Sequence, residues 1–329
     1  KLAASFMGGA GFIQWCWNIN QYMSDRNEVH IGAWRVDKTA RPEAMVMQVF
    51  GEFFQKAAPY LQEEAEEATV AVVESLTGLL SPKSHTQPAQ RMAHRVLAAL
   101  RLPFHTLAEH EWDRLTGEKT ILFPSVQRLG GQALKGWMKA VKGRTLWVSG
   151  PLAQDGWGLA TEGLSLFGIK EKRVEVLPEE TLGLKSGELA LNYGTHKTGI
   201  TDKDASLAAQ IHRINKSGSV LYYSPLPVEA SDQRGSVESF YRILASLSKV
   251  KPYCELKGAS SFEVTVLPRR YSKTALYIAL NESSRSHRVQ IRDNRFGFKA
   301  VLNIPAGRAT MAVFDSKGKA LVSYEGPDF

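Results

Sequence analysis

The chain has 329 residues, of which 43% are hydrophobic, so it is long enough to bury two or three cores. Its only cysteines are Cys16 and Cys254, which excludes a disulfide framework and a cysteine-based zinc site and favours a reducing compartment. The formal net charge is +8, but the basic residues are spread over separate segments, which argues against nucleic acid as a partner.

The chain begins with an apolar run from Leu2 to Trp17 that ends in "GFIQWCWNIN". Gln14, the paired tryptophans and the missing small-residue cleavage site argue against a secretory signal. No later segment reaches the roughly 20 apolar residues of a membrane span, so we expect a cytoplasmic protein without a membrane partner.

A buried strand over this Trp-rich stretch, a polar loop and a helix beginning at Pro42 form the first region, residues 1–61. The helix has a stripe of large apolar side chains at near-helical spacing, which predicts a face packed in a core. The stripe consists of Met45, Met47, Val49, Phe50, Phe53 and Phe54. The acidic run at 63–67 indicates a solvated helix end or a linker.

Short apolar strands alternate with amphipathic helices in the second region, residues 69–232. The strands "VAVVES", "FHTLAEH", "TILFPSV" and "TLWVSG" are separated by "PAQRMAHRVLAALR" and "GQALKGWMKAVKG", and "GSVLYYSPLP" supplies a further strand. This alternation predicts a doubly wound α/β domain with a parallel sheet.

The third region, residues 235–329, begins with the helix "SVESFYRILASL". Six alternating strands follow, with turn residues at the spacing typical of a small antiparallel β-sandwich. They are "SFEVTVLP", "TALYIALNE", "HRVQIRD", "KAVLNIP", "ATMAVFD" and "KALVSYE".

Familiar catalytic patterns are missing from the sequence. It has no Gly-rich phosphate loop, HExxH or GxSxG motif, and the second region has no cysteine to act as a nucleophile. "HTLAEHEWD" collects His105, Glu109, His110, Glu111 and Asp113, but its spacing matches no metal-ligand pattern. We therefore expect neither a metal nor a cofactor.

The stretch "GGAGFIQWCWNIN…DRNEVHIGAWRVDKTARPEAM" is similar to the eighth strand and helix of glycosidases built on a (β/α)8 barrel. Together with "AHRVLAALRLPFHTL", "ILFPSVQRLGGQALKGWMKAVKGRTLWVSGPLAQDGWG" and "NIPAGRATMAVFDSKGKAL", its order resembles family 42 β-galactosidases over essentially the whole chain. The resemblance implies the last βα unit of a TIM barrel, an amidotransferase-like domain of flavodoxin type and a C-terminal β domain.

The resemblance further implies a retaining glycoside hydrolase that acts on β-galactosides or similar β-glycosides. Such enzymes need two carboxyl groups, which the family carries after its fourth and seventh barrel strands. This chain begins after both positions, so its catalytic glutamates would lie on an N-terminal barrel portion, and this chain alone would be inactive.

Five residues of the first region are candidates for contact with the carbohydrate substrate. Trp15 resembles the family tryptophan that forms the floor of the cleaved subsite, and burial in the core is the alternative for Trp15 and Trp17. Asn18 and Asn20 have side chains that bind sugar hydroxyls or cap a loop. Glu28 resembles a family glutamate that binds galactose, although its spacing differs and a surface role is the alternative.

Two other functions stay open at this point. One is a non-catalytic assembly protein, because the corresponding domain mediates contacts in trimeric family members, and a homo-oligomer is expected in either case. The other is a carbohydrate-binding module. We also expect that, without the rest of the barrel, Phe50, Phe53 and Phe54 would expose an apolar face and the first 60 residues would be poorly ordered.

Overall fold

The computed structural model describes residues 32–35, 37–62, 68–80, 85–152, 157, 163–169, 172–175, 178–184, 187–194, 199–203, 209–261 and 263–325. The predicted Trp-rich strand, Cys16 and the acidic run at 63–67 lie outside these residues. The chain divides into two compact units. We call residues 67–252 the α/β unit, and residues 1–66 with 253–329 the β unit.

Parallel strands form the main sheet of the α/β unit. Its strand order is β2-β1-β3-β4-β10-β9, with β9 antiparallel at the edge. The first five strands in this order follow the 2-1-3-4-5 pattern of flavodoxin-type doubly wound sheets. The sheet strands are β1 (Val70–Glu74), β2 (Phe104–Ala108), β3 (Thr120–Phe123), β4 (Thr145–Ser149), β9 (His212–Lys216) and β10 (Ser219–Ser224).

Helices cover both faces of this sheet, which is why its central strands are apolar at consecutive positions. Helices α3 (Thr86–Ala99) and α5 (Arg234–Ser248) pack on one face against Val72, Leu122 and Trp147. Helix α4 (Gly131–Ala140) packs on the other face, where Trp137 meets the ring of Phe123 edge-on. The doubly wound prediction for this region is thereby confirmed at the level of a parallel sheet with helices on both faces.

Several elements of the α/β unit were not predicted. Four further strands form two antiparallel two-stranded sheets, β5 with β8 and β6 with β7. The additional elements are helix α2 (Leu76–Leu79), β5 (Lys172–Glu175), β6 (Glu179–Leu184), β7 (Gly187–Asn192), β8 (Gly199–Lys203) and the edge strand β9 of the main sheet. Helix α5, expected at the start of the third region, packs into the α/β core through Val237, Phe240 and Tyr241. The compact α/β unit accordingly ends at Pro252.

Two antiparallel sheets enclose the core of the β unit. The orders are β11-β14-β15 and β12-β13-β16-β17, and one buried cluster contains residues from both sheets. The strands are β11 (Cys254–Lys257), β12 (Val264–Arg270), β13 (Thr274–Asn281), β14 (His287–Asp293), β15 (Lys299–Ile304), β16 (Ala309–Asp315) and β17 (Ala320–Tyr324). All six predicted strands of this region are present, and β11 was missed.

Helix α1 (Pro42–Ala57) belongs to the β unit and begins at the predicted proline. The expectation that its phenylalanine face would be exposed is wrong. Phe50 and Phe53 are each 3% exposed, and both rings pack against Tyr324 of β17. The predicted apolar stripe is correct only in part, because Met45 on the same helix is 50% exposed.

Across the described residues, no helix combines the length and the apolar character that crossing a membrane requires.

Candidate functional site

The five predicted sugar contacts, Trp15, Trp17, Asn18, Asn20 and Glu28, lie outside the described residues. Their roles therefore stay predictions. The carboxyl-end edge of the parallel sheet lies within the described residues, and open α/β sheets bind ligands at this edge, next to the point where the strand order reverses.

Serines stand at this edge on four neighbouring strands. Ser75 and Ser125 follow β1 and β3, while Ser149 and Ser224 are the last residues of β4 and β10. The register pairs Ser149 directly with Ser224. All four serines are buried, so parallel pairing collects four hydroxyl groups at one end of the sheet.

Ser75 and Thr77 meet a carboxylate from the loop after β2. Both oxygens of Glu109 accept hydrogen bonds there: Oε2 from Ser75 Oγ at 3.2 Å and from the Thr77 amide at 3.1 Å, and Oε1 from Thr77 Oγ1 at 2.5 Å. The Ser75 hydroxyl also caps helix α2 by accepting from the Gly78 amide at 2.8 Å. Glu109 is thus a structural acceptor that fastens one loop to the next.

A second carboxylate, Glu229, fills the centre of the edge. It lies in the 3-10 turn Val228–Ala230 after β10 and is 1% exposed. Its Oε2 accepts from Ser125 Oγ at 2.7 Å and from Ser149 Oγ, and its Oε1 accepts from Tyr241 Oη at 2.6 Å. We call Ser125, Ser149, Glu229 and Tyr241 the Glu229 cluster.

Ser125 has an unusual backbone. Its φ is +48°, in the left-handed region that non-glycine residues seldom adopt, at a cost on the order of 1 kcal/mol. The strained turn is held by its amide, which donates to Ser149 Oγ at 3.2 Å, and by its hydroxyl bond to Glu229. The strain therefore serves to place the Ser125 hydroxyl in the cluster.

Burial shifts the pKa values of two side chains at this edge, Glu229 and His85. Burial raises the pKa of Glu229 above its ordinary value, and the three hydroxyl bonds oppose this shift in part. Burial lowers the pKa of His85 to about 4, opposed by a hydrogen bond to the Ser125 backbone. His85 is 7% exposed, and among the described groups its Nε2 has no hydrogen-bond partner.

The Glu229 cluster contains residue types that hydrolases use, but its serine hydroxyls are not accessible to a substrate. Ser125 and Ser149 are 0% and 1% exposed, and Ser125 donates to a carboxylate instead of to an imidazole that could take its proton. In this conformation a substrate cannot reach either hydroxyl. The Glu229 cluster therefore ties the ends of β3, β4 and helix α5 together.

Polar side chains of the "HTLAEHEWD" segment have separate partners in the structure and do not converge on one site. His105 Nε2 lies 3.0 Å from Glu118, Glu109 binds Ser75 and Thr77, and Glu111 accepts from the Ala108 amide. A search of the described residues for three or more His, Cys, Asp and Glu side chains that could hold a metal ion finds none.

Comparisons of the sequence return no matching family model and no matching curated protein. Comparison of the structure does return similar proteins. A catalytic mutant of the GH42 β-galactosidase Gan42B from G. stearothermophilus aligns with a TM-score of 0.66 and 14% identity, over 91% of this chain and 47% of that one. The β-galactosidase of Rahnella sp. R3 aligns with a TM-score of 0.64 and 13% identity, over 91% and 48%. That of Bacillus circulans sp. alkalophilus aligns with a TM-score of 0.57 and 16% identity, over 79% and 43%.

The fold resembles the C-terminal part of GH42 β-galactosidases. The resemblance drawn from the sequence is thereby confirmed at the level of the fold, because identities of 13–16% show no more than that. The chain spans about half the length of these proteins.

Proposed function

We propose that this chain is the C-terminal portion of a retaining glycoside hydrolase that acts on β-galactosides or similar β-glycosides. The observation that carries the proposal is the fold likeness, which takes in 91% of this chain but only 47% of a GH42 β-galactosidase. A polypeptide with that coverage needs a second portion to complete the enzyme.

In this proposal the reaction is divided between the two portions. The active sites of TIM barrels lie at the carboxyl ends of the eight strands, and retaining glycosidases hold two carboxyl groups about 5 to 5.5 Å apart. Both carboxyl groups would come from the N-terminal portion. Residues 1–61 would supply the eighth βα unit, with Trp15 as the floor of the cleaved subsite and Trp17, Asn18, Asn20 and Glu28 as the remaining sugar contacts.

The buried edge of the parallel sheet supports the assignment of catalysis to the N-terminal portion. In an α/β domain with its own activity the ends of the central strands would line an open crevice. Here the Glu229 cluster fills that position and is almost completely buried. The α/β unit is accordingly proposed as a scaffold and not as the site of hydrolysis, and a cytoplasmic location stays a prediction.

Reconstitution tests the proposal. The chain would be co-produced with the polypeptide encoded directly upstream, purified under native conditions and assayed on a chromogenic β-galactoside. We expect a complex that hydrolyses the substrate and a free chain that does not. An upstream segment without barrel strands and without a pair of suitable glutamates would contradict the proposal.

The Trp15→Ala variant tests the site in that complex. Removal of the subsite floor should lower kcat/KM at least tenfold, which corresponds to about 1.4 kcal/mol of transition-state stabilisation. Trp157→Ala is the matched control, because Trp157 is 89% exposed in the α/β unit. Equal kinetics in the two folded variants would make Trp15 a packing residue.

An assembly role is the second candidate. Leu76, Leu79 and Leu80 are 42%, 38% and 87% exposed on and beside helix α2, and neighbouring exposed leucines are typical of protein contacts. A homo-oligomer formed through this helix should dissociate in the Leu80→Lys variant, as measured by light scattering during size-exclusion chromatography. An unchanged molar mass would remove helix α2 from the interface.

A further inference from the structure

A groove of about 530 Å³ lies on the outer face of the three-stranded sheet of the β unit. Strand pairing sets its side chains in rows. One row holds Glu255, Arg292 and Lys299, and the next holds Lys257, Gln290 and Val301. All six residues line the groove.

A third row extends the same face. Arg288 pairs with Asn303, and both side chains are exposed, as expected from the alternation along β14 and β15. The eight described side chains of these three rows therefore include four cations, Lys257, Arg288, Arg292 and Lys299, and one anion, Glu255. From ordinary strand spacings these charges share an area of about 10 by 14 Å, comparable with one Debye length in physiological salt.

Among the described residues of this face, one ion pair is formed, and it leaves most of the positive charge uncompensated. Glu255 lies 3.7 Å from Arg292, and both side chains are more than half exposed. Exposed pairs of this kind are weak, so a bound anion can compete for the Arg292 guanidinium. Two lysines and a second arginine lie within the same three strands.

We propose that this outer sheet face binds an anionic polysaccharide. Cations recognise carboxylate or sulfate groups, while the amides of Gln290 and Asn303 supply the donors and acceptors that sugar hydroxyls require. The eight outward side chains named above include no aromatic ring on which nucleic-acid bases could stack, which disfavours a single-stranded nucleic acid. The choice of a carbohydrate rests on the proposed function, whereas the charge pattern does not.

Binding by the full chain alone tests this proposal, with dextran sulfate as the anionic probe and dextran as its neutral counterpart. In affinity electrophoresis, dextran sulfate should retard the chain at low salt and dextran should not, and added salt should weaken the retardation. Equal retardation by both polymers, or by neither, would overturn the proposal.

Charge-matched variants locate the binding. Lys257→Glu/Lys299→Glu should weaken dextran sulfate binding about tenfold, equivalent to about 1.4 kcal/mol. Lys317→Glu/Lys319→Glu changes the net charge by the same amount in the exposed turn between β16 and β17, and should leave affinity within about threefold. The neutral pair Lys257→Gln/Lys299→Gln should give an intermediate loss and covers the case in which the first variant misfolds. Equal losses in the groove and turn variants would mean that only overall charge matters.

Competition separates the polysaccharide from nucleic acid. Duplex DNA at the same concentration of anionic groups should displace dextran sulfate poorly. Displacement that is as strong, and equally sensitive to Lys257→Glu/Lys299→Glu, would replace this proposal with a nucleic-acid surface. Because no step measures hydrolysis, failure of the reconstituted enzyme would leave this result intact, and failure of binding would leave the enzyme proposal intact.

Discussion

The Glu229→Gln substitution should change how the stability of the α/β unit depends on pH. Glu229 is 1% exposed, and the hydrogen-bond partners of its carboxyl group in the cluster are hydroxyls: those of Ser125, Ser149 and Tyr241. Burial is the largest effect on its pKa and raises it. Glutamine keeps the shape and the acceptor oxygen but has no charge at any pH.

The direction of the effect follows from proton linkage. With a raised pKa, the folded state binds more protons than the unfolded state at pH values above the ordinary pKa of 4.5. The free energy of unfolding of the wild type should therefore fall as the pH rises above 4.5, by up to about 1.4 kcal/mol per pH unit, until the folded-state pKa is passed. The variant has no such slope, so its stability relative to wild type should improve over this interval.

At low pH the wild type should be slightly more stable than Glu229→Gln. The protonated carboxyl group donates one hydrogen bond, whereas the amide of glutamine presents two N–H groups to a cluster of three hydroxyls. One poorly placed donor costs about 1 kcal/mol. The two stability curves should therefore cross at a pH above 4.5.

The assay is urea unfolding at pH values from 4 to 8, followed by hydrogen exchange in helix α5, which reports on the α/β unit alone. Glu188→Gln is the control, because Glu188 is an exposed carboxylate on β7 of the same unit. Parallel curves for wild type and Glu229→Gln over the whole range would refute the reasoning, since they would mean that Glu229 titrates alike in both states.

Three further substitutions should change the stability of the protein, each for a different physical reason. His85→Gln should make the stability of the α/β unit less sensitive to acid. Burial lowers the pKa of His85 from 6.5 to about 4, so the free energy of unfolding of the wild type should fall by about 3 kcal/mol as the pH falls from 6.5 to 4. The variant should lack this loss in urea unfolding over the same pH range. Phe53→Ala should destabilise the β unit by about 3–5 kcal/mol, read from hydrogen exchange in helix α1. Gly136→Ala should cost about 1–3 kcal/mol in thermal unfolding, because its Cβ would lie 2.3 Å from the Trp112 ring.

Each of these substitutions has a matched control in the same compact unit. His110 is exposed and serves His85→Gln, and Met45, half exposed on the same helix, serves Phe53→Ala. Gly131→Ala serves Gly136→Ala, since no atom lies within 4 Å of the Cβ it would add in the same helix. A control that shifts as much as its partner would contradict the packing or burial argument for that residue.

Strand and helix identity could be predicted from the sequence wherever both faces of an element are buried. Val70, Val72 and Val73 are consecutive or nearly consecutive apolar residues because helices cover both sides of β1. The strands from β5 to β9 could not be predicted in this way. Residues such as Glu179, Glu188 and Arg213 alternate with few apolar partners, and a short two-stranded pairing leaves little periodicity to detect.

The serines of the sheet edge are marked in the sequence by a repeated pattern. "VAVVES", "ILFPS", "TLWVS" and "VLYYS" all end an apolar strand with the same small polar residue. Parallel strands bring such ends together, so the repetition itself predicts a polar cluster. Glu229 could not be predicted to join it, because its bonds to Ser125 and Ser149 span 104 and 80 residues.

The basic face of the three-stranded sheet also could not be predicted from the sequence. Lys257, Arg292 and Lys299 belong to three separate strands, and along the sequence their charges are dispersed among apolar residues. Dispersal along the chain argues against nucleic acid as a partner. The antiparallel sandwich was predicted, but its register was not, and it is the register that brings the dispersed charges into one patch.

Helix α1 connects the fold to the proposed reconstitution. The periodicity of Phe50 and Phe53 predicted an apolar face correctly, but periodicity does not identify the surface that covers it. In the β unit that surface is the sheet that contains Met311, Val313 and Tyr324. One apolar face cannot bury the same rings twice, so a barrel portion that joins this chain must pack on other parts of helix α1 or displace the sheet. Hydrogen exchange in β17 decides between these: protection should be unchanged when the complex forms if the sheet keeps the helix, and should fall if the barrel takes it.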